Sequence, residues 1–136
     1  MTRSGLQSLF DKYGIMPTPQ RVEIAAILLE RPQHLSAEHI IEKLKDAGSC
    51  VSKATVYNTL NLFAEKGLLK RHLLTEGRLV FDPNVTPHHH FIDEATGEIH
   101  DIPWDQVDVS DVEKLEGFDV TEFQVVMRGR RKPAKT

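Results

Sequence analysis

The residues in this chain best placed to do chemistry are three consecutive histidines, in the run Pro87-His88-His89-His90. Neutral imidazole is a common ligand for divalent metals. On a strand, His88 and His90 project from one face and His89 from the other. Two strand-like segments, His88–Asp93 and Glu98–Ile102, flank Glu94-Ala95-Thr96-Gly97, which reads as a turn. A four-residue turn sets Asp93 opposite Glu98, and counting back sets Asp101 opposite His90. His88, His90 and Asp101 then converge on one face. Two imidazoles and a carboxylate suit Fe²⁺, Mn²⁺ or Zn²⁺ (the last able to occupy such a site in vitro), whereas copper(I) prefers softer donors.

Asp82 and His34 are candidates to complete the shell. An Asp before proline also commonly shapes a turn, so Asp82 has an ordinary reading beside the metal one. The other hairpin face carries His89, Phe91 and His100, with Asp108 and Glu122 further along; these form either a second, weaker site or a wetted surface. His39 and His72 read as solvent-facing, Cys50 as partly buried packing, and Trp104 as packing at the start of a helix, at or near a dimer interface. The same trio could hold an open-site zinc in a small metallohydrolase. No general acid or base and no substrate pocket are legible beside it, so a non-enzymatic role is expected.

The elements that must position these residues begin with four helices. Leu6, Leu9 and Phe10 mark a short one ended by Gly14. Thr18 N-caps the second, with Pro19 at its first position and the apolar stretch Val22 to Leu29 before Pro32. Ser36 caps a third, with Ala37, Ile40, Ile41 and Leu44 on one face and Gly48 behind it. Ser52 caps a fourth, running to about Lys66, with Gly67 as its terminator. Two short strands follow, Leu68–Leu74 and Arg78–Phe81, joined through Thr75-Glu76-Gly77. Helices followed by a hairpin match a winged helix-turn-helix. The expected class is therefore α+β, with a winged-helix DNA-binding domain over residues 1–82, a hinge at 83–87, and a small α/β dimerisation and metal-sensing domain over 88–136. In the second domain a helix is expected around Val107–Leu115 and a strand over Val120–Met127. A domain of this size is marginal alone, which favours a homodimer.

On the fourth helix, Val56, Leu60 and Phe63 form one apolar stripe. Ala54, Tyr57, Asn58 and Asn61 fall toward the opposite side. Asparagine can pair bidentately with adenine, and alanine or tyrosine can touch a thymine methyl. Ser52, Lys53 and Thr55 sit at the helix N-terminus, where phosphates bind well. Arg21, Lys70, Arg71 and Arg78 are further phosphate candidates. The bland alternative is a solvated helix face.

Charge agrees with the nucleic-acid reading. The net charge is −3, yet residues 1–83 carry 11 basic side chains against 9 acidic, and the remainder 6 against 11. The basic half is the one with the helices. One cysteine excludes an internal disulfide or a multi-thiolate zinc within one chain. The sequence has no span apolar enough for a bilayer and no signal-peptide pattern, so a cytoplasmic protein without membrane contact is expected.

Thr18-Pro19-Gln20-Arg21, Ser52-Lys53-Ala54-Thr55-Val56-Tyr57-Asn58-Thr59-Leu60, Phe81-Asp82 and His88-His89-His90 resemble signatures of the ferric uptake regulator superfamily. Within it, Pro32-Gln33-His34-Leu35, His88 to Ile102 and Gly117 to Arg131 are most similar to iron response regulators and to peroxide regulators that lack the cysteine zinc site. The resemblance implies a homodimer on an inverted-repeat operator in double-stranded DNA, repressing genes of iron homeostasis or peroxide stress. It implies a regulatory metal site of His34, Asp82, His88, His90 and Asp101, base contacts from Tyr57 and Asn58, and a backbone contact from Arg21. Asp93 and Thr96 stand where the family has paired cysteines, and no C-terminal pair exists, so no structural four-cysteine zinc is expected. The second family site keeps at most His89 and Asp108, with Phe123 where a histidine would stand. The N-terminal Cys-Pro haem motif of some iron response regulators is missing; in a haem-responsive variant, His88–His90 would supply the ligands.

Overall fold

A computed structural model describes residues 2–75 and 78–133. The chain divides into two units between Val85 and Thr86.

The first unit opens with four helices, each started by a side chain. α1 (Arg3–Tyr13) begins at Thr2, whose hydroxyl accepts from the Gly5 amide, and ends at Gly14 with φ 67°. That left-handed conformation favours glycine, which explains the sharp stop. α2 (Pro19–Leu28) is capped by Thr18 with Pro19 in its first turn. α3 (Ala37–Asp46) is capped by Ser36, and α4 (Lys53–Glu65) by Ser52. His39, expected to be an idle surface residue, closes a capping box at α3: it lends its ring to the Ser36 backbone N–H while Ser36 accepts from the His39 amide. Histidine there does the work that Glu or Gln usually does.

The expected stripe on α4 is the core. Val56, Leu60 and Phe63 are fully buried, with Phe10, Ile24, Leu28 and Ile40 packed into the same cluster. The rings of Phe10 and Phe63 meet at 5.6 Å and 52°. Leu68 and Leu69 also enter this core, so β1 (Lys70–Thr75) starts later than the alternation suggests. β1 pairs antiparallel with β2 (Arg78–Asp82). The turn expected at Thr75-Glu76-Gly77 lies partly outside the described residues, at Glu76 and Gly77. Leu35 adds an isolated antiparallel bridge to Phe81, with both backbone bonds made. Cys50 is exposed rather than partly buried, because it stands in the loop between α3 and α4.

The second unit is built on a three-stranded sheet in the order β4-β3-β5. β3 (His88–Asp93) pairs antiparallel with β4 (Ile99–Pro103), setting His90 opposite Asp101. β5 (Val126–Gly129) runs parallel to β3. Two expectations are corrected here. In place of a helix around Val107–Leu115 there are two 3-10 turns, Trp104–Gln106 and Val112–Lys114. Val107, Val109 and Val112 are β-branched and interleaved with Asp108, Ser110 and Asp111, which compete for backbone bonds. The strand expected over Val120–Met127 begins only at Val126, because the Val125 amide bonds to the His89 side chain instead of continuing the ladder. No helix among the described residues is long and apolar enough to cross a membrane.

Candidate functional site

In the second unit the antiparallel register brings His88, His90 and Asp101 together. His88 Nε2 lies 3.4 Å and His90 Nε2 3.7 Å from Asp101 Oδ1, and the two imidazole rings meet at 4.5 Å. Both histidines are buried. Their opposite nitrogens are tied off. His88 Nδ1 is 2.6 Å from the Thr86 carbonyl, and His90 Nδ1 is 2.7 Å from Gln124 Oε1. A carbonyl can only accept, and the side-chain amide oxygen likewise, so each Nδ1 carries the hydrogen, and in the neutral ring each Nε2 keeps its lone pair. Two Nε2 lone pairs and a carboxylate oxygen therefore face one another, each imidazole braced as metal-binding histidines usually are. This donor set fits a divalent ion such as Fe²⁺, Mn²⁺ or Zn²⁺. Gln124, a positioning residue the sequence did not single out, comes from the irregular segment before β5.

In the first unit the bridge between Leu35 and Phe81 has a consequence one residue along each strand. In an antiparallel pair His34 and Asp82 become neighbours, and His34 Nε2 is 3.0 Å from Asp82 Oδ2. Asp82 is buried and serves both readings offered for it. Oδ1 accepts from the Asn84 amide at 2.9 Å as a turn residue does, while Oδ2 faces His34. His72 is corrected from solvent-facing to buried. Its Nε2 lies 3.5 Å from the same Asp82 oxygen, because positions 72 and 82 are diagonal across the β1–β2 pair. The alternation of β1 carried that signal, since His72 and Leu74 are buried and Arg71 and Leu73 exposed.

His89 is corrected as a candidate for a second metal site or for haem. It is buried, and its Nδ1 accepts the Val125 backbone N–H at 2.9 Å. The hydrogen must then sit on Nε2, which leaves no lone pair there for a metal. Ligation through Nε2 would require moving that hydrogen and breaking the Val125 bond. The ring instead stacks flat on Trp104, at 4.4 Å and 12°, and Phe123 packs on Trp104 at 4.8 Å. Phe123, at the position where the resemblance implies a histidine, thus extends an aromatic cluster. Asp108 is exposed. Trp104 begins a 3-10 turn rather than an α-helix.

On α4, Lys53, Ala54, Tyr57 and Asn58 are exposed, and Thr55 and Asn61 half-buried. Ser52 spends its hydroxyl on the cap, accepting from the Thr55 amide and donating to Thr55 Oγ1 at 2.9 Å. Arg21 donates to the Met16 carbonyl at 3.0 Å, which aims its guanidinium beside a groove of about 670 Å³ lined by Gln20, Thr55, Asn58 and Asn61. From the hairpin, Arg71 donates to Asn61 Oδ1 at 3.2 Å. Arg78 opens β2; its side chain lies outside the described residues. Tyr57 donates its hydroxyl to Glu38 on α3 at 2.5 Å. That bond to a carboxylate, then desolvation and the charge itself, hold the Tyr57 pKa above its ordinary value.

The sequence pattern described as the ferric uptake regulator family matches residues 12–128. The peroxide-responsive repressor PerR of Staphylococcus epidermidis is 34% identical over 128 residues, covering 91% of this chain and 84% of its own length. The ferric uptake regulator of Pseudomonas aeruginosa, solved with manganese, superposes with a TM-score of 0.67 at 30% identity, covering 93% of this chain and 98% of that one. The ferric uptake regulator of Francisella tularensis, solved with iron, reaches 0.73 at 25% identity, covering 88% and 93%. With the match spanning residues 12–128, the chain belongs to the ferric uptake regulator family.

Proposed function

We propose that this chain is a metal-responsive transcriptional repressor that binds double-stranded DNA as a homodimer in the cytoplasm. Its regulatory ion, Fe²⁺ or Mn²⁺ with Zn²⁺ able to substitute, is held by His34 and Asp82 of the first unit and His88, His90 and Asp101 of the second. The observation that carries this reading is the pair of braced imidazoles, whose Nε2 lone pairs face Asp101. A bound ion would supply a positive centre for which both units contribute ligands. Binding then favours whichever arrangement of the units satisfies all five, and so sets the disposition of the two α4 helices in a dimer. His34 and Asp82 are already neighbours through the Leu35–Phe81 bridge, and residues 83–87 act as the hinge. Supporting self-association, Leu115, Phe118 and Val120 are exposed apolar side chains on a unit of about fifty residues.

DNA is contacted in this reading through Tyr57, Asn58, Ala54 and Asn61 on bases, and through Ser52, Lys53, Thr55, Arg21 and Arg78 on the backbone of an inverted-repeat operator. Gel-shift titration of a promoter fragment with and without Mn²⁺ tests it. Binding that responds to metal in the wild type, and does not respond in His88→Ala/His90→Ala, is the expected result. A response unchanged by that double substitution overturns the site.

A peroxide-sensing variant is favoured by the likeness to the staphylococcal peroxide-responsive repressor and by aspartate at position 101. Mass spectrometry of the Fe²⁺ form after peroxide should then find one added oxygen on His34 or His88; unmodified histidines remove this variant.

A further inference from the structure

We propose that Glu38 determines which base edge Tyr57 reads, by taking the hydroxyl hydrogen and leaving Tyr57 an acceptor-only probe. This rests on α4 being the DNA-facing helix. Glu38 lies in the first turn of α3 and Tyr57 in the second turn of α4, and their side chains meet at the mouth of a cleft of about 570 Å³ bordered by Ser36, His39, Glu42 and Leu79. The bond is short, 2.5 Å, between an exposed phenol and an exposed carboxylate. A phenol has one hydrogen and can otherwise only accept. Hydrogen bonds to ionised acceptors are roughly twice as strong as neutral ones. A neutral acceptor on a base, such as guanine O6 or N7, therefore competes poorly for that hydrogen.

The chemistry that remains at this point of the α4 surface is one-sided. The Tyr57 oxygen and the Glu38 carboxylate can both accept, and the tyrosine ring can touch a methyl. In the major groove, adenine N6 and cytosine N4 present amino hydrogens, whereas guanine presents two acceptors. The pair accordingly selects an amino-bearing base edge and rejects guanine. The raised Tyr57 pKa is consistent with the hydrogen being firmly held. Glu38 acts through Tyr57 and by its own charge, so it is a positioning residue; removing it should change the kind of base preferred and not merely the strength of binding.

The test is selection from a randomised duplex DNA pool by the full-length chain, with and without Mn²⁺, comparing wild type with Glu38→Ala, Glu38→Gln, Tyr57→Phe and Tyr57→Ala. In the wild type one position of each half-site should favour adenine or cytosine by about fivefold over guanine, the scale of one net hydrogen bond. Glu38→Ala frees the hydroxyl to donate, so guanine should become acceptable at that position. Glu38→Gln replaces the ionised acceptor with a neutral amide that also carries donor hydrogens, so it should let guanine in at that position as Glu38→Ala does. Tyr57→Phe removes one of the two accepting groups and should weaken the preference there, leaving only the Glu38 carboxylate to accept. If Tyr57→Ala loses the preference but Glu38→Ala keeps it, Tyr57 reads without Glu38 and the proposal is overturned. Uniform loss of affinity in Glu38→Ala with the preference intact marks a purely structural contact and overturns it equally. If Tyr57→Ala changes neither affinity nor preference, the assignment of α4 to DNA is what has failed.

Discussion

At the scale of single residues, three adjacent histidines of identical chemistry are made different by their hydrogen-bond partners. His88 and His90 give their Nδ1 hydrogens to oxygens of Thr86 and Gln124, whereas His89 receives a hydrogen from Val125 at the same atom. In the proposed reading two rings serve as metal ligands, while the third stacks on Trp104. Gln124→Ala should lower affinity for Mn²⁺ or Zn²⁺ by about 10- to 100-fold, the usual effect of removing such a brace. Calorimetric metal titration checks this, and unchanged affinity would show that His90 needs no orientation. Tyr57 supplies a second test at this scale. Its neutral form is stabilised by donating to Glu38, and its anion would stand beside a carboxylate. Ionisation should therefore begin above the ordinary tyrosine value of about 10. In an ultraviolet titration, the component above that value should vanish in Tyr57→Phe and shift down in Glu38→Ala.

Among the elements, the caps and the α4 stripe carry the first unit. Ser36 both accepts the His39 amide and presents its own N–H to the His39 ring. Ser36→Ala should cost about 1 kcal/mol in urea unfolding, as lost N-caps do. Leu60 is fully buried at the centre of the stripe, and Leu60→Ala should cost about 2–5 kcal/mol by the same measurement. A smaller loss at Leu60 than at Ser36 would mean that α4 is held by something other than its apolar face. The Leu35–Phe81 bridge belongs to this scale too, since a single backbone pairing outside the regular strands is what sets His34 beside Asp82.

For the molecule as a whole, the central question is how metal and DNA are coupled. If the proposed ion draws ligands from both units, chelation should change binding to a promoter fragment while leaving each unit folded. Far-ultraviolet circular dichroism should hardly change, while the DNA affinity shifts. The salt dependence adds a second reading of the same complex. With about 0.9 logarithmic units of affinity lost per phosphate contact for each tenfold rise in salt, Lys53→Ala should make the slope shallower by about one such step per half-site. A slope that stays the same would remove Lys53 from the phosphate contacts.

Much of this was readable in the chain itself. Helix boundaries followed from local chemistry, because Thr18, Ser36 and Ser52 cap in place, and Gly14, Gly48 and Gly67 take the positive φ just past α1, α3 and α4, which glycine tolerates cheaply. The register of β3 against β4 followed from the length of one turn, and with it the meeting of His88, His90 and Asp101. What needed the tertiary structure was every relation between segments far apart in sequence. His34 finds Asp82 through an isolated bridge, His90 finds Gln124 from the approach to β5, and Tyr57 finds Glu38 across two helices. The late start of β5 and the role of His89 are one event, since the Val125 amide chose a side chain over the ladder. Caps and turns are settled within four residues, so sequence alone decides them. A side chain's choice of a distant hydrogen-bond partner, and hence its tautomer, exists only once the chain has folded.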